Sequence, residues 1–255
     1  MMIDWNDWLQ RWDQQQERYI PTREQRFEVM FDLIETYIGE EFTALDLGCG
    51  PASLSTRLVD RFPKAKVIAI DVDPMLLMIA RNTIGEREKQ ITLLQEDLRK
   101  SGWLDHLPEK GVDVMVSTTA LHWLPPADLV SLYYRLGTHI KQPGIFLDAE
   151  GISFPKSYEK FNTIISGVQD LRDQRRDDEL GEEWDEYWEN LKEEFNNNDL
   201  GDFVEERHQL FHWRDHAKHN SPSYETQQQV LLDAGFEEVN TIWQDLRNRV
   251  LMAVK

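Results

Sequence analysis

From residue 43 the chain keeps a rhythm that few folds can accommodate. Short apolar runs of strand length alternate with longer segments of helical period. "TALDL" at 43–47 precedes "PASLSTRLVDRF" at 51–62, and "KVIAIDV" at 66–72 precedes "PMLLMIARNTI" at 74–84. "ITLLQED" at 91–97 and "VDVMVST" at 112–118 follow, then the helical "PADLVSLYYRLGTHI" at 126–140 and the strand "GIFLDAE" at 144–150. Strands joined through helices run parallel, and helices on both faces make a doubly wound α/β sheet. "SPSYETQQQVLLDAGF" reads as a helix closed by Gly235. "EVNTIWQDL" and "RVLMAVK" then lie close enough to pair as a hairpin, bringing the expected strands to seven.

Two stretches stand outside the rhythm. At the N-terminus Trp5, Trp8 and Trp12 fall on one face of a helix over 3–19. A second helix over 22–38 starts at Thr22 as N-cap and turns Phe27, Met30, Phe31, Ile34 and Ile38 inward. Residues 153–220 lose the strand–helix alternation. Within them Trp184, Trp188, Leu191 and Phe195 share a helical stripe that "NNND" at 196–199 should end. The expected organisation is an N-terminal helical cap over 1–40, an α/β core over 41–152 and 221–255, and a helical insertion over 153–220 that lids the site.

In an open parallel sheet, ligands sit beyond the carboxyl ends of the strands. Three such ends carry telling residues. Gly48 and Gly50 end the first strand in the turn "DLGCG", where glycine permits a sharp bend and close approach of a ligand. Asp71 ends the second strand about 20 positions on, where a carboxylate accepts from both ribose hydroxyls. Asp97 ends the third, where it can meet the exocyclic amine of an adenine. A dinucleotide-binding turn would need G-x-G-x-x-G, but "GCGPAS" ends on Ser53, and Pro51 removes an N–H that a pyrophosphate wants.

The segment resembles the class I S-adenosylmethionine-dependent methyltransferases. "DLGCGPASLS" at 46–55 resembles their first motif, with Ala52 where a third glycine is usual, and "VIAIDVDPMLL" at 67–77 the second. "LLQEDL" at 93–98 resembles the third, and "VDVMVSTTALHWL" at 112–124 the fourth strand with the loop beside the methyl group. "AGFEEV" and the closing hairpin resemble their C-terminal end, whose last strand runs antiparallel. "ALHW" resembles small-molecule members like trans-aconitate methyltransferase. The resemblance implies S-adenosylmethionine as cofactor, with Asp46, Gly48, Cys49, Gly50, Asp71, Val72, Asp97, Leu98 and Thr118 about it. It implies a small-molecule methyl acceptor and a lid built from the flanking helices.

Methyl transfer from a sulfonium needs positioning and exclusion of water more than a catalytic dyad. His122, after the fourth strand, is the candidate to orient the acceptor or take its proton. Trp123 is a candidate pocket wall or equally core, and Trp184 and Trp188 are candidate walls that, taken singly, read first as packing residues. His208, His212, His216 and His219 fall near one helix face, where they would hold a metal, meet substrate or simply face solvent; no metal is assigned. Cys49, the only cysteine, reads as a turn residue and excludes an internal disulfide.

A formal charge of −19, without a dense basic run, argues against a nucleic-acid partner. No apolar run reaches the roughly 18–20 residues of a membrane span, and the N-terminus lacks a signal-peptide pattern, so a cytoplasmic location is expected. The tryptophan stripes are candidate homodimer surfaces. Two other readings remain open: a non-catalytic cofactor-binding module with a protein partner, and an NAD-dependent oxidoreductase. Methylation of RNA or protein is a third, and the acidic insertion counts against RNA.

Overall fold

The computed structural model describes residues 3–152, 154–175, 181–212 and 222–255. Seven strands, β1 Thr43–Leu47, β2 Lys66–Asp71, β3 Ile91–Gln95, β4 Val112–Thr118, β5 Ile140–Gly151, β6 Glu238–Asp245 and β7 Asn248–Val254, form one sheet. Their order is β3-β2-β1-β4-β5-β7-β6. Neighbours from β3 to β5 pair parallel, while β7 runs antiparallel to both β5 and β6. The chain order reverses between β1 and β4, and such a switch point opens a crevice at the carboxyl ends of the strands.

The helices are α1 Trp5–Tyr19, α2 Arg23–Tyr37, α3 Ser53–Arg61, α4 Pro74–Thr83, α5 Pro126–His139, α6 Glu159–Gln174, α7 Trp184–Asn197, α8 Gly201–Phe211 and α9 Tyr224–Asp233. Successive residues of β1 feed opposite layers. Ala44 packs with Phe27, Phe31, Leu54 and Leu58 on one face, and Leu45 and Leu47 with Met115, Leu132, Leu136 and Phe146 on the other. Full burial of each such large side chain contributes roughly 1.5–3 kcal/mol relative to exposure. Asp73 caps α4 by accepting from the amides of Met75 and Leu76, and Pro74 opens its first turn. Thr22 precedes α2 but makes no side-chain cap bond.

One carboxylate ties three helices together where the cap meets the core. Asp13 of α1 pairs with Arg23 (2.9 Å) and Arg57 (3.1 Å) and accepts from the Ser53 hydroxyl (2.8 Å), linking α1, α2 and α3. Burial alone would raise its pKa, but the two guanidinium groups and Ser53 hold it below the usual carboxylate range.

The tryptophan stripes of α1 and α7 pack against each other. Trp8 lies 5.6 Å from Tyr187 between ring centres, and Trp12 6.2 Å from both Trp184 and Trp188. Ion pairs Arg11–Glu182 and Arg18–Glu183 flank this seam. The insertion also proves to be two pieces. Helices α7 and α8 pack with α1 and α4, whereas α6 attaches to the β6–β7 hairpin through Arg172–Asp245 (2.7 Å) and Arg247 to Ser166 (3.1 Å). No described helix is long and apolar enough to cross a membrane.

Candidate functional site

A cavity of about 710 Å³ opens at the switch point between the sheet edge and the cap. That volume falls within the usual range for small-molecule sites. The sequence-predicted residues Gly48, Cys49, Gly50, Asp71, Val72, Asp97, Leu98, Thr118, His122, Trp123, Trp184 and Trp188 all line it. Asp46 does not. It shares the strand face of Ala44, is buried beneath the turn and accepts from the Ser55 hydroxyl at 2.6 Å. Burial, reinforced by the charge of Asp71 and opposed by Ser55, pushes its pKa up to about 7.

Hydrogen bonds within the protein consume the amides of the glycine turn. Gly48 and Cys49 donate to the Ile70 carbonyl (2.8 and 2.9 Å), Gly50 to Asp71 Oδ2 (2.7 Å) and Ala52 to the Cys49 carbonyl (2.9 Å). Pro51 has no N–H to offer. These turn amides are closed to a pyrophosphate, whereas an uncharged ribose needs none of them. Ala52, in the place of a third glycine, takes a left-handed φ of 65°. The buried Cys49 thiol has its pKa raised by burial first and then by Asp71 and Asp46, which suits a structural residue.

Asp71 accepts from the amides of Gly50 (2.7 Å) and Asp73 (2.8 Å). Asp97 is held by Arg99, with Nη2 to Oδ2 at 2.7 Å and the Arg99 amide to Oδ1 at 2.9 Å. Arg99 outweighs the upward push of burial and keeps Asp97 below the usual carboxylate range. Carboxylates at the ends of β2 and β3 therefore face one cavity beside a backbone turn, an acceptor set that fits an adenosine.

Beyond β4 the chain enters a tight turn. Thr119 takes a positive φ of 55°, and a 3-10 turn over Leu121–Trp123 follows. Glu150 of β5 holds this turn. Its Oε1 accepts from the amides of Ala120 (2.7 Å) and Leu121 (2.8 Å), and its Oε2 lies 2.7 Å from His122 Nδ1. Burial alone would raise the pKa of Glu150, but His122, then Arg26 and the Ala120 amide, hold it below the usual range. An ionised Glu150 makes Nδ1 the donor and fixes the histidine tautomer. Asp148, two residues earlier in β5, is pushed well above the usual range by burial and by the charge of Glu150.

The cap closes the far wall. Trp123 stacks on Trp184 at 6.0 Å between ring centres, and Gln16, Tyr19 and Arg23 line the same side. Arg207 of α8 pairs with Asp73 (2.7 Å) and lies 3.5 Å over the Trp188 ring. Sequence reasoning missed Glu150, Arg23 and Arg207. Two acids inside the apolar run "GIFLDAE" were a usable signal for Glu150, since buried carboxylates need partners; the arginines gave none. His208 and His212 are exposed on and beside the end of α8, while His216 and His219 lie outside the described residues. Among the described residues no group of three or more His, Cys, Asp or Glu side chains could hold a metal.

Sheet order, glycine turn and paired strand-end acids together suit a nucleoside at the carboxyl edge of a doubly wound α/β sheet. Residues 44–144 match the family described as a methyltransferase domain. The chain is 30% identical over 150 residues to trans-aconitate 2-methyltransferase of Azoarcus sp. (strain BH72), covering 58% of this chain and 53% of that one. It is 32% identical over 136 residues to the Mycobacterium ulcerans (strain Agy99) protein of that name, covering 50% and 47%. The chain thus spans about half the length of these curated relatives. Magnesium protoporphyrin IX methyltransferase from Synechocystis PCC 6803 with bound SAH shares the fold, with a TM-score of 0.59 at 13% identity over 97% of this chain and 94% of that one. Residues 44–144 are thus similar to a methyltransferase domain, on a fold that a methyltransferase of known structure shares.

Proposed function

We propose that the protein transfers the methyl group of S-adenosylmethionine to a small-molecule acceptor. The observation that carries this reading is one cavity that Gly48, Gly50, Asp71 and Asp97 line together with His122, Trp123 and Trp184. Asp71 would take the ribose hydroxyls, and Asp97 with Leu98 the adenine. Cys49, Val72 and Thr118 would pack along the nucleoside, while Asp46 would support the turn from behind. When bound, the cofactor supplies an electrophilic methyl group on sulfur with a neutral thioether as leaving group.

The protein's part is to hold an acceptor in line and to exclude water. Trp12, Trp184 and Trp188 of the cap and insertion would cover the cavity as a lid. His122, held by Glu150 through Nδ1, would use Nε2 to orient the acceptor or to take its proton where the acceptor carries one. The curated relatives are named for trans-aconitate, so small organic acids head the acceptor panel. Calorimetric titration with S-adenosylmethionine, with NAD as control, tests the first half, and S-adenosylhomocysteine release against the panel tests the second. Binding of NAD alone would overturn the reading. Cofactor binding without turnover on any acceptor would favour a non-catalytic module.

A further inference from the structure

The cofactor of the proposed reaction ends in an amino acid whose carboxylate needs donors. The turn amides cannot provide them, because each is committed to Ile70, Asp71 or Cys49, and Pro51 has none. The cap offers one group of the right chemistry. Arg23 is 3% exposed and lines the cavity. Its Nη1 donates to Asp13, while Nε and Nη2 have no hydrogen-bond partner among the described residues and are not sealed off as buried orphans. A largely desolvated guanidinium with open nitrogens is costly until an anion completes it.

Its position suits the tail of the ligand and not the base. Along the sheet edge β3, β2 and β1 present Asp97, Asp71 and the glycine turn in that order. Asp13, which orients Arg23, also accepts from Ser53, the first residue of α3 just past the turn. One helical turn further along α2, Arg26 donates to Thr118, Thr119 and the Ala149 carbonyl at the ends of β4 and β5. Arg23 thus stands over β1 and β4, on the far side of the turn from Asp97. Resting on the cofactor reading above, we propose that Arg23, held by Asp13, binds the carboxylate of the methionyl tail and so makes the N-terminal cap part of the cofactor site.

The test compares two ligands that differ in that tail. S-adenosylhomocysteine carries the amino acid, and 5′-methylthioadenosine lacks it. Calorimetric titration of R23Q should show affinity for the first lower by roughly ten- to a hundredfold, as for a lost charge-assisted bond. Affinity for the second should stay within about twofold, which also shows that the variant's site is folded. R23K, which keeps the charge but not the fork, should recover part of the loss. If R23Q does not fold, the same selective loss, of smaller size, is expected in R23K. An unchanged affinity for S-adenosylhomocysteine overturns the proposal, as does an equal loss for both ligands, the mark of a structural role through Asp13. A loss confined to acidic acceptors would assign Arg23 to the acceptor and overturn it too. Wild-type protein that binds neither ligand refutes the cofactor reading itself.

Discussion

Gly48 is a glycine for a reason that mutagenesis can isolate. It sits at φ +75°, and a Cβ built there would lie 2.4 Å from the Ala120 Cβ, while the next nearest atom, Ala120 Cα, is at 3.8 Å. Gly48→Ala therefore costs left-handed strain of about 1–2 kcal/mol and overpacking of about 1–3 kcal/mol, or roughly 2–5 kcal/mol together. For a chain of this size that lowers the melting temperature by about 4–20 °C. Gly50→Ala is the control. Its φ is +54°, but its Cβ would meet only Trp12 at 3.6 Å and Leu76 at 3.7 Å, ordinary contacts, so strain alone remains. Removing the opposing methyl group with Ala120→Gly should return the overpacking share but not the strain. Urea unfolding of wild type, both single variants and G48A/A120G closes a double-mutant cycle with an expected coupling of about 1–3 kcal/mol. Additivity within about 0.5 kcal/mol, or a G48A no weaker than G50A, would refute the idea that the loop after β4 dictates this glycine.

Asp46 predicts a pH slope. The unfolded chain releases this proton near the usual carboxylate pKa while the folded chain keeps it to about 7, so stability falls as pH rises from about 4 to 7 and then levels. Asp46→Asn should gain on wild type across that window, by at most about 4 kcal/mol at its upper end, and a pH-independent difference in melting would count against the buried neutral acid. His122→Asn should cut turnover by about a hundredfold or more on acceptors that lose a proton, with S-adenosylhomocysteine affinity unchanged; equal rates on such acceptors would remove His122 from the chemistry. Glu150→Gln should lower turnover and also stability by about 3 kcal/mol, because it leaves the buried Arg26 without its counter-charge; an unaltered unfolding midpoint would contradict that. Arg207→Met removes the pair with Asp73 and the stack on Trp188, so stopped-flow release of S-adenosylhomocysteine should quicken about tenfold, and unchanged release would show that α8 does not gate the cavity.

The α/β core was legible because its signals are local. The β1 run 43–47 forms a strand over just those residues, and Pro74 opens α4 behind the Asp73 cap. Asp46 shows where motif and geometry diverge. It belongs to the stretch that resembles the cofactor motif, yet it alternates with Leu45 and Leu47 and must face the opposite layer from them. The two-residue period of "TALDL" alone carries that orientation. The rest of the site rests on long-range encounters. Glu150 meets His122 across 28 positions, and Arg207 reaches Asp73 across 134. In "TREQRFEV" Arg23 and Arg26 look like a solvated helix face and become interior only because β4, β5 and α3 close over them. The insertion likewise gave no sign that α6 would leave the cavity to α7 and α8.

The acidic charge of the chain and the anion chemistry proposed for its cavity are compatible once distance is considered. A net charge of −19 governs solubility and long-range attraction, but charges beyond about 8 Å are largely screened at physiological salt. Inside the cavity the nearest groups decide. Arg23, Arg99 and Arg207 all line it, and each is oriented by an aspartate: Asp13, Asp97 and Asp73. Asp97 uses both oxygens on Arg99, and Asp73 divides its carboxylate between Arg207 and the α4 cap. Asp13 is shared between two arginines and Ser53 and engages only Nη1 of Arg23. Arg23 and Arg207 each engage their aspartate through one nitrogen, and of these two Arg23 is the one tied through Asp13 to Ser53 beside the turn after β1. On the proposed reading the sheet edge would serve the adenosyl group, and the helices outside the α/β rhythm would supply the groups that distinguish its tail and its acceptor.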